Sequence, residues 1–244
     1  MPRFFVNKDA INDGIITVKD GDAFHVARSL RMAVGDEITV CDGEGVEYFC
    51  RLTHIRDDEC LCKIEASRAA LTEMGIDVTL FMAYPKGDKL ETVVQKAVEL
   101  GACRIVPFES SRCIKRPKAD KAEKTTERLN RIAHEAAKQC GRARLPEVCA
   151  PVSFSEMIKM AAESQVALFC YEAETETTLK SVFEDSADIS SIAVVIGCEG
   201  GFSQEEASTC IAAGMRSVSL GRRILRCETA PAYVLSAISY RFEL

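Results

Sequence analysis

The stretch that most restricts the fold is Ile192 to Ser203, IAVVIGCEGGFS. Five consecutive apolar residues, Ile192 to Ile196, read as a buried strand. A turn built on Gly197, Gly200 and Gly201 follows. Ser203, with Glu206 three residues later, then forms a capping box that opens a helix. A second stretch, Leu220 to Ala230, LGRRILRCETA, repeats the plan with a short strand over Val218 to Leu220, a long loop and a helix. Open α/β sheets place ligands at such bends, where backbone groups are free and glycines allow close approach. Phosphate is disfavoured here, because Glu199, Glu205 and Glu206 crowd the turn. Neither G-x-G-x-x-G after a strand nor G-x-x-x-x-G-K-[ST] occurs. A small neutral or cationic ligand is expected; the alternative is a tight turn that holds nothing.

Upstream the same alternation runs from Ile76. The pattern predicts a strand to Ala83, a helix Asp88 to Leu100 closed by Gly101, and a strand Arg104 to Phe108. A long helix to about Cys140 closed by Gly141, a helix opened by Ser153 and Glu156, and a strand Val166 to Cys170 complete it. Strand and helix in turn imply an α/β unit with a mostly parallel sheet and helices on both faces. Residues 1 to about 70 are instead β-rich, with runs at Glu37 to Cys41, Val46 to Leu52 and Cys60 to Ala66. The first two are joined by Asp42-Gly43-Glu44-Gly45. A helix over Ala23 to Met32 is expected to turn Phe24, Ala27, Leu30 and Met32 inward and His25, Arg28 and Arg31 outward. This reads as a small barrel with one helix. The composition changes near Leu71 to Gly75, which divides the chain into domains 1–71 and 72–244.

A hydrophobic content of 47% supports a real core, no apolar run is long enough to span a bilayer, and MPRFFVNKDA does not read as a signal peptide. Twelve scattered cysteines in a chain this large fit a reducing cytoplasm better than a disulfide framework, and no Cys/His spacing suits a metal. The net charge of -6 argues against indiscriminate nucleic-acid binding. It hides a contrast: residues 103–145 hold twelve Lys/Arg against five Asp/Glu. Such a patch is a footprint for a polyanion, and RNA is the candidate partner. Arg112, Lys115, Arg116 and Arg142 lie in or beside loops and are the candidate contacts, whereas Lys118 to Lys124 read as a solvated helix face. The three histidines have no triad partner.

GCEGGFSQEE and LGRRILRCETAPAYVLSAI resemble the two late cofactor loops of SPOUT-class RNA methyltransferases. MPRFF, HVARSLRM, the K-x-x-E-L-G ending at Gly101, and QCGR at Gln139 to Arg142 resemble, within that class, the bacterial ribosomal-RNA uridine-N3 methyltransferases. The resemblance spans nearly the whole chain. It implies a PUA-like RNA-binding barrel followed by a trefoil-knotted methyltransferase domain, a cytoplasmic homodimer, and S-adenosylmethionine as the cofactor. Residues Cys170, Tyr171, Glu172, Ile196, Gly197, Glu199, Gly200, Gly201, Leu220, Gly221, Ile224 and Leu225 would hold that cofactor. Arg3, His25, Arg28 and Arg31 of the barrel, with the basic loop residues, would meet ribosomal RNA of the small subunit. Methylating uridine N3 requires loss of a weakly acidic proton or stabilisation of the enolate charge. Arg226 is the candidate for the latter. Glu228 is either the proton acceptor or orienting group, or a helix-start carboxylate favouring the dipole. Lys86, Lys96 and Glu99 match the family pattern and could equally pair within their own domain. Cys198 stands where the family usually has proline, and Arg223 is a second departure. A noncatalytic RNA-binding protein and an α/β enzyme acting on a small metabolite are the competing functions.

Overall fold

The computed structural model describes residues 1–114, 119–184 and 188–244. The chain forms two compact units. The first comprises Met1–Glu73 with Ala137–Leu145, the second Met74–Ala136 with Pro146–Leu244.

The first unit is one six-stranded sheet. Its strands are β1 (Arg3–Phe5), β2 (Ile11–Asn12), β3 (Ile15–Lys19), β4 (Glu37–Cys41), β5 (Val46–Ile55) and β6 (Glu59–Ala69), in the spatial order β1-β4-β5-β6-β3-β2. Neighbours are antiparallel except β1 beside β4. Alternate residues point one way along each strand, so Ile16, Val18, Ile38, Val40, Cys50, Leu52, Cys60 and Cys62 meet in a common core with Phe4. The expected helix is shorter and differently faced. Helix α1 covers Asp20–Phe24 and passes into a π-turn, His25–Ser29. There Leu30 N–H donates to His25 C=O across five residues, so the 3.6-residue period is lost. Ala23 and Val26 enter the core while Phe24 and Leu30 face solvent, the reverse of the arrangement the spacing suggested for those two aromatic and aliphatic side chains.

The second unit carries an all-parallel sheet. Its strands are β7 (Asp77–Ala83), β8 (Arg104–Glu109), β9 (Glu147–Val148), β10 (Val152–Ser153), β11 (Val166–Cys170), β12 (Ser191–Ile196) and β13 (Arg216–Val218). The order is β10-β8-β7-β12-β11-β13, with β9 also on β8. Helices α2 (Lys89–Glu99), α3 (Ala119–Cys140), α4 (Phe154–Ala161), α5 (Leu179–Glu184), α6 (Gln204–Ala212) and α7 (Thr229–Phe242) connect them. Central strands β7 and β12 are apolar on both faces, as a sheet covered on both sides requires: Val78, Leu80 and Met82 on one face of β7, Phe81 and Ala83 on the other, and Ile192 to Val195 of β12 are buried. The capping boxes at Ser153 and Ser203 are formed as the sequence suggested. Strand β13 ends two residues earlier than the pattern implied, because Ser219 N–H turns aside to Thr177 C=O. Among the described residues no helix is long and apolar enough to cross a membrane.

Candidate functional site

Strands β12, β11 and β13 lie side by side, and β7 flanks β12. Parallel strands all end at the same edge, so the loops leaving these three neighbours converge there. Together with the start of α2 they enclose a cavity of about 500 Å³, within the range that takes a drug-sized molecule. Every residue marked above as a cofactor contact lines it, and so do Arg226 and Glu228.

The turn after β12 is shaped by what its glycines omit. A Cβ on Gly197 would stand 3.0 Å from the Phe202 ring and 3.2 Å from the Gly201 Cα. Gly201 has φ of 62°, and a Cβ there would collide with the Glu172 carboxylate. Beneath the turn Phe202 is fixed, its ring 4.7 Å from Phe169 and stacked at 6.3 Å on Phe108. From the other side Arg112 braces the turn, its Nη1 donating to Gly200 C=O at 2.7 Å.

Three carboxylates, Glu172, Glu199 and Glu228, face the cavity. The crowding of Glu205 and Glu206 inferred from sequence is not part of this wall. Glu206 is buried, closing the capping box and accepting Ser111 N–H at 2.6 Å, and Glu205 is exposed on α6. Lys89 joins two of the three carboxylates: its Nζ is 3.0 Å from Glu199 Oε1 and 3.1 Å from Glu228 Oε2. Glu199 also accepts Lys86 N–H at 3.0 Å. Burial alone would raise the Glu199 carboxyl, but its own N–H, Lys89 and Lys86 outweigh it and hold it below the usual carboxylate range. Glu228 is lowered by its own N–H and further by Lys89 and the Cys227 thiol. Bonds to Glu199 and Glu228 raise Lys89 in turn.

Sequence reasoning passed over Lys89. A signal was present: it opens helix α2, where the dipole disfavours a cation. Two carboxylates resolve that conflict. Phe202, Ser219, Arg223, Cys227 and Ala230 also line the cavity. Arg226 begins the approach to α7, its C=O accepting Thr229 and Ala230 N–H at 2.8 and 3.0 Å. Glu228 sits at the N-cap of α7 without a side-chain capping bond and also lines the cavity. Lys96 and Glu99 pair with each other at 2.8 Å and do not line the cavity.

The basic candidates divide. Arg3 turns inward to Glu47 (2.7 Å), whose side chain is only 2% exposed. Arg142 is likewise buried, held by Glu73 at 2.8 Å. Neither guanidinium is presented to a polyanion, because each neutralises a carboxylate within the first unit. His25, Arg28 and Arg31 are exposed, Arg28 in a two-pronged pair with Asp57. Arg31 has a left-handed backbone, φ 52°. Arg104 and Arg128 pair with Glu147 and Glu91, so part of the basic stretch is neutralised. Lys115, Arg116 and Lys118 lie outside the described residues. Among the described residues no group of three or more His, Cys, Asp or Glu could hold a metal.

Residues 72–239 match the family described as an RNA methyltransferase domain, and residues 18–65 match an RNA methyltransferase PUA domain. The chain belongs to the RNA methyltransferase family. Ribosomal RNA small subunit methyltransferase E of Bacillus subtilis (strain 168) is 33% identical to this methyltransferase, over 100% of the chain and 98% of the relative. The protein of the same name from Synechocystis is 32% identical over 99% of the chain and 78% of its own length. A crystal structure of a Ribosomal RNA small subunit methyltransferase E from Neisseria gonorrhoeae bound to S-adenosyl methionine is 29% identical, with a TM-score of 0.84 covering 98% of this chain and 97% of that one.

Proposed function

We propose that this methyltransferase transfers the methyl group of S-adenosylmethionine to N3 of a uridine in small-subunit ribosomal RNA. The observation that carries the reading is the meeting of three loops from adjacent strand ends around one cavity with an acidic wall. The names of the full-length relatives and the cofactor bound by the gonococcal enzyme support it.

The chain's own residues fit that cofactor. Its sulfonium cation suits the wall of Glu172, Glu199 and Glu228, its adenine suits apolar Ile196, Leu220, Ile224 and Leu225, and the glycine turn leaves backbone groups within reach. When bound it supplies an already activated methyl group. Arg226 offers its charge to the enolate that develops on the uracil oxygens. Glu228, held below the usual carboxylate range by its own N–H and by Lys89, orients the base at N3–H. Exposed His25, Arg28 and Arg31, with Arg112, Lys115 and Arg116, contact RNA. Residues 1–71 form the RNA-binding domain and 72–244 the catalytic domain, whose chain threads a trefoil knot. The enzyme works as a cytoplasmic homodimer on the small ribosomal subunit or its RNA.

Nucleoside mass spectrometry of ribosomal RNA from cells lacking the protein should show one N3-methyluridine missing. An unchanged nucleoside profile would refute the assignment. Arg226→Ala should lower methyl transfer at least a hundredfold with cofactor affinity within about twofold; equal loss of both would make the residue structural.

A further inference from the structure

Beneath the glycine turn lies a cluster that methyl transfer does not use. Ser110 and Cys113 follow β8, and Cys198 follows β12; all three are buried. Ser110 Oγ is 3.2 Å from Cys113 Sγ and 3.8 Å from Cys198 Sγ. Ser110 N–H also donates to Cys113 Sγ at 3.4 Å, so the one Ser110 hydroxyl stands between the two sulfurs. Cys198 is among the residues that line the cavity, so the pair stands at its wall.

The environments of the two sulfurs differ. The nearby Cys113 thiol, with Gly200 N–H and Ser110, draws the pKa of Cys198 down against the opposing effects of burial and Glu199. Cys113 is pushed up. Burial pushes Cys50, Cys62, Cys170 and Cys210 up to about 12. Two neighbouring thiols, one of lowered and one of raised pKa, are the arrangement of a peroxide-sensitive pair, one sulfur attacking and the other resolving.

We propose that Cys113 and Cys198 form a peroxide-driven disulfide that closes the cofactor cavity. Cys198 Sγ attacks one oxygen of hydrogen peroxide; the O–O bond breaks, hydroxide leaves, and Cys198 becomes a sulfenic acid. Cys113 Sγ then attacks that sulfur, the S–O bond breaks, and the oxygen leaves as water with the thiol proton. Two thiols and one peroxide give one disulfide and two waters, sulfur losing the two electrons that peroxide gains. The new S–S bond draws the turn carrying Gly197 to Gly201 toward the β8 loop. A dithiol reductant reverses the bond.

The reduction in affinity rests on the S-adenosylmethionine reading; the disulfide does not. The full chain is treated with hydrogen peroxide, alkylated, and mapped by mass spectrometry. The expected product is a 113–198 cross-linked peptide lighter by two hydrogens. In Cys113→Ala the same treatment should stop at a sulfenic acid on Cys198, captured by a 1,3-diketone. Calorimetry should give an affinity for S-adenosylmethionine at least about tenfold weaker in oxidised than in reduced protein, restored by dithiothreitol, with no such ratio in Cys113→Ala. No 113–198 cross-link, or a preferred bond elsewhere, overturns the pair. The cross-link with a ratio within twofold overturns the closure. If reduced protein binds no S-adenosylmethionine, the functional assignment fails while the peptide map still judges the thiols.

Discussion

Replacing Gly197 with alanine tests whether the turn after β12 is the cradle of the cofactor. Gly197 needs no left-handed backbone, so the added methyl acts only through space. It would stand 3.0 Å from Phe202 Cε2 and 3.2 Å from the Gly201 Cα, where carbon pairs rest at about 3.5–4.0 Å. Phe202 cannot retreat, being held by Phe108 and Phe169, and the Gly201 Cα is the backbone of the turn itself. The turn must therefore shift by several tenths of an ångström. Overpacking of this kind costs about 1–3 kcal/mol. Where that strain opposes the binding geometry, affinity for S-adenosylmethionine falls roughly 5- to 150-fold. Isothermal titration calorimetry on parent and Gly197→Ala reads this directly, and the cofactor-free variant should also melt a few degrees lower, at roughly 2–4 °C per kcal/mol. A dissociation constant within twofold of the parent's would refute the argument that this turn grips the ligand.

Two further outcomes follow from charge pairs. Lys89→Met removes a cation that lowers both Glu199 and Glu228, so their folded-state pKa values rise; the acidic limb of the methyl-transfer pH profile should move to higher pH, with Lys89→Arg restoring it, and an unmoved limb would separate Lys89 from the reaction. Arg3→Ala leaves the buried Glu47 carboxylate with Arg68 alone, which should cost about 3 kcal/mol in denaturant titrations at pH 7. In the parent, burial would raise Glu47 but the two guanidinia hold it below 4.5. The stability they give is therefore complete above the unfolded carboxylate value and disappears as pH falls through the lower folded one, so parent and variant should converge in acid. A loss under 1 kcal/mol at pH 7 would show the pair to be idle.

The sequence spoke most clearly where one physical requirement acted alone. Strand Val166 to Cys170 carries an apolar run that admits few alternatives, and its bounds match the structure. The capping boxes at Ser153 and Ser203 are local, so they too were legible. Legibility failed where distant residues decide. Arg3 and Arg142 look like surface cations until Glu47 and Glu73 fold against them. Lys89 became meaningful only when Glu199 and Glu228, more than a hundred residues later, arrived beside it. Strands β1 and β3 were missed because they are short and lean on partners elsewhere in the chain. The π-turn at His25–Ser29 abandons the periodicity by which amphipathic helices are recognised.

The parallel sheet imposes a timetable on the site. Strand β7 finds β12 only after more than a hundred intervening residues have been made, and the third loop begins at Ser219, beyond β13. Pairings so remote in sequence close slowly, because the entropy of a long loop is lost before contacts compensate. Before Arg216 is in place, the wall from Ser219 to Ala230 is missing and the cavity stands open on that side. Capture of the methyl donor thus waits until the last strand has seated beside β11.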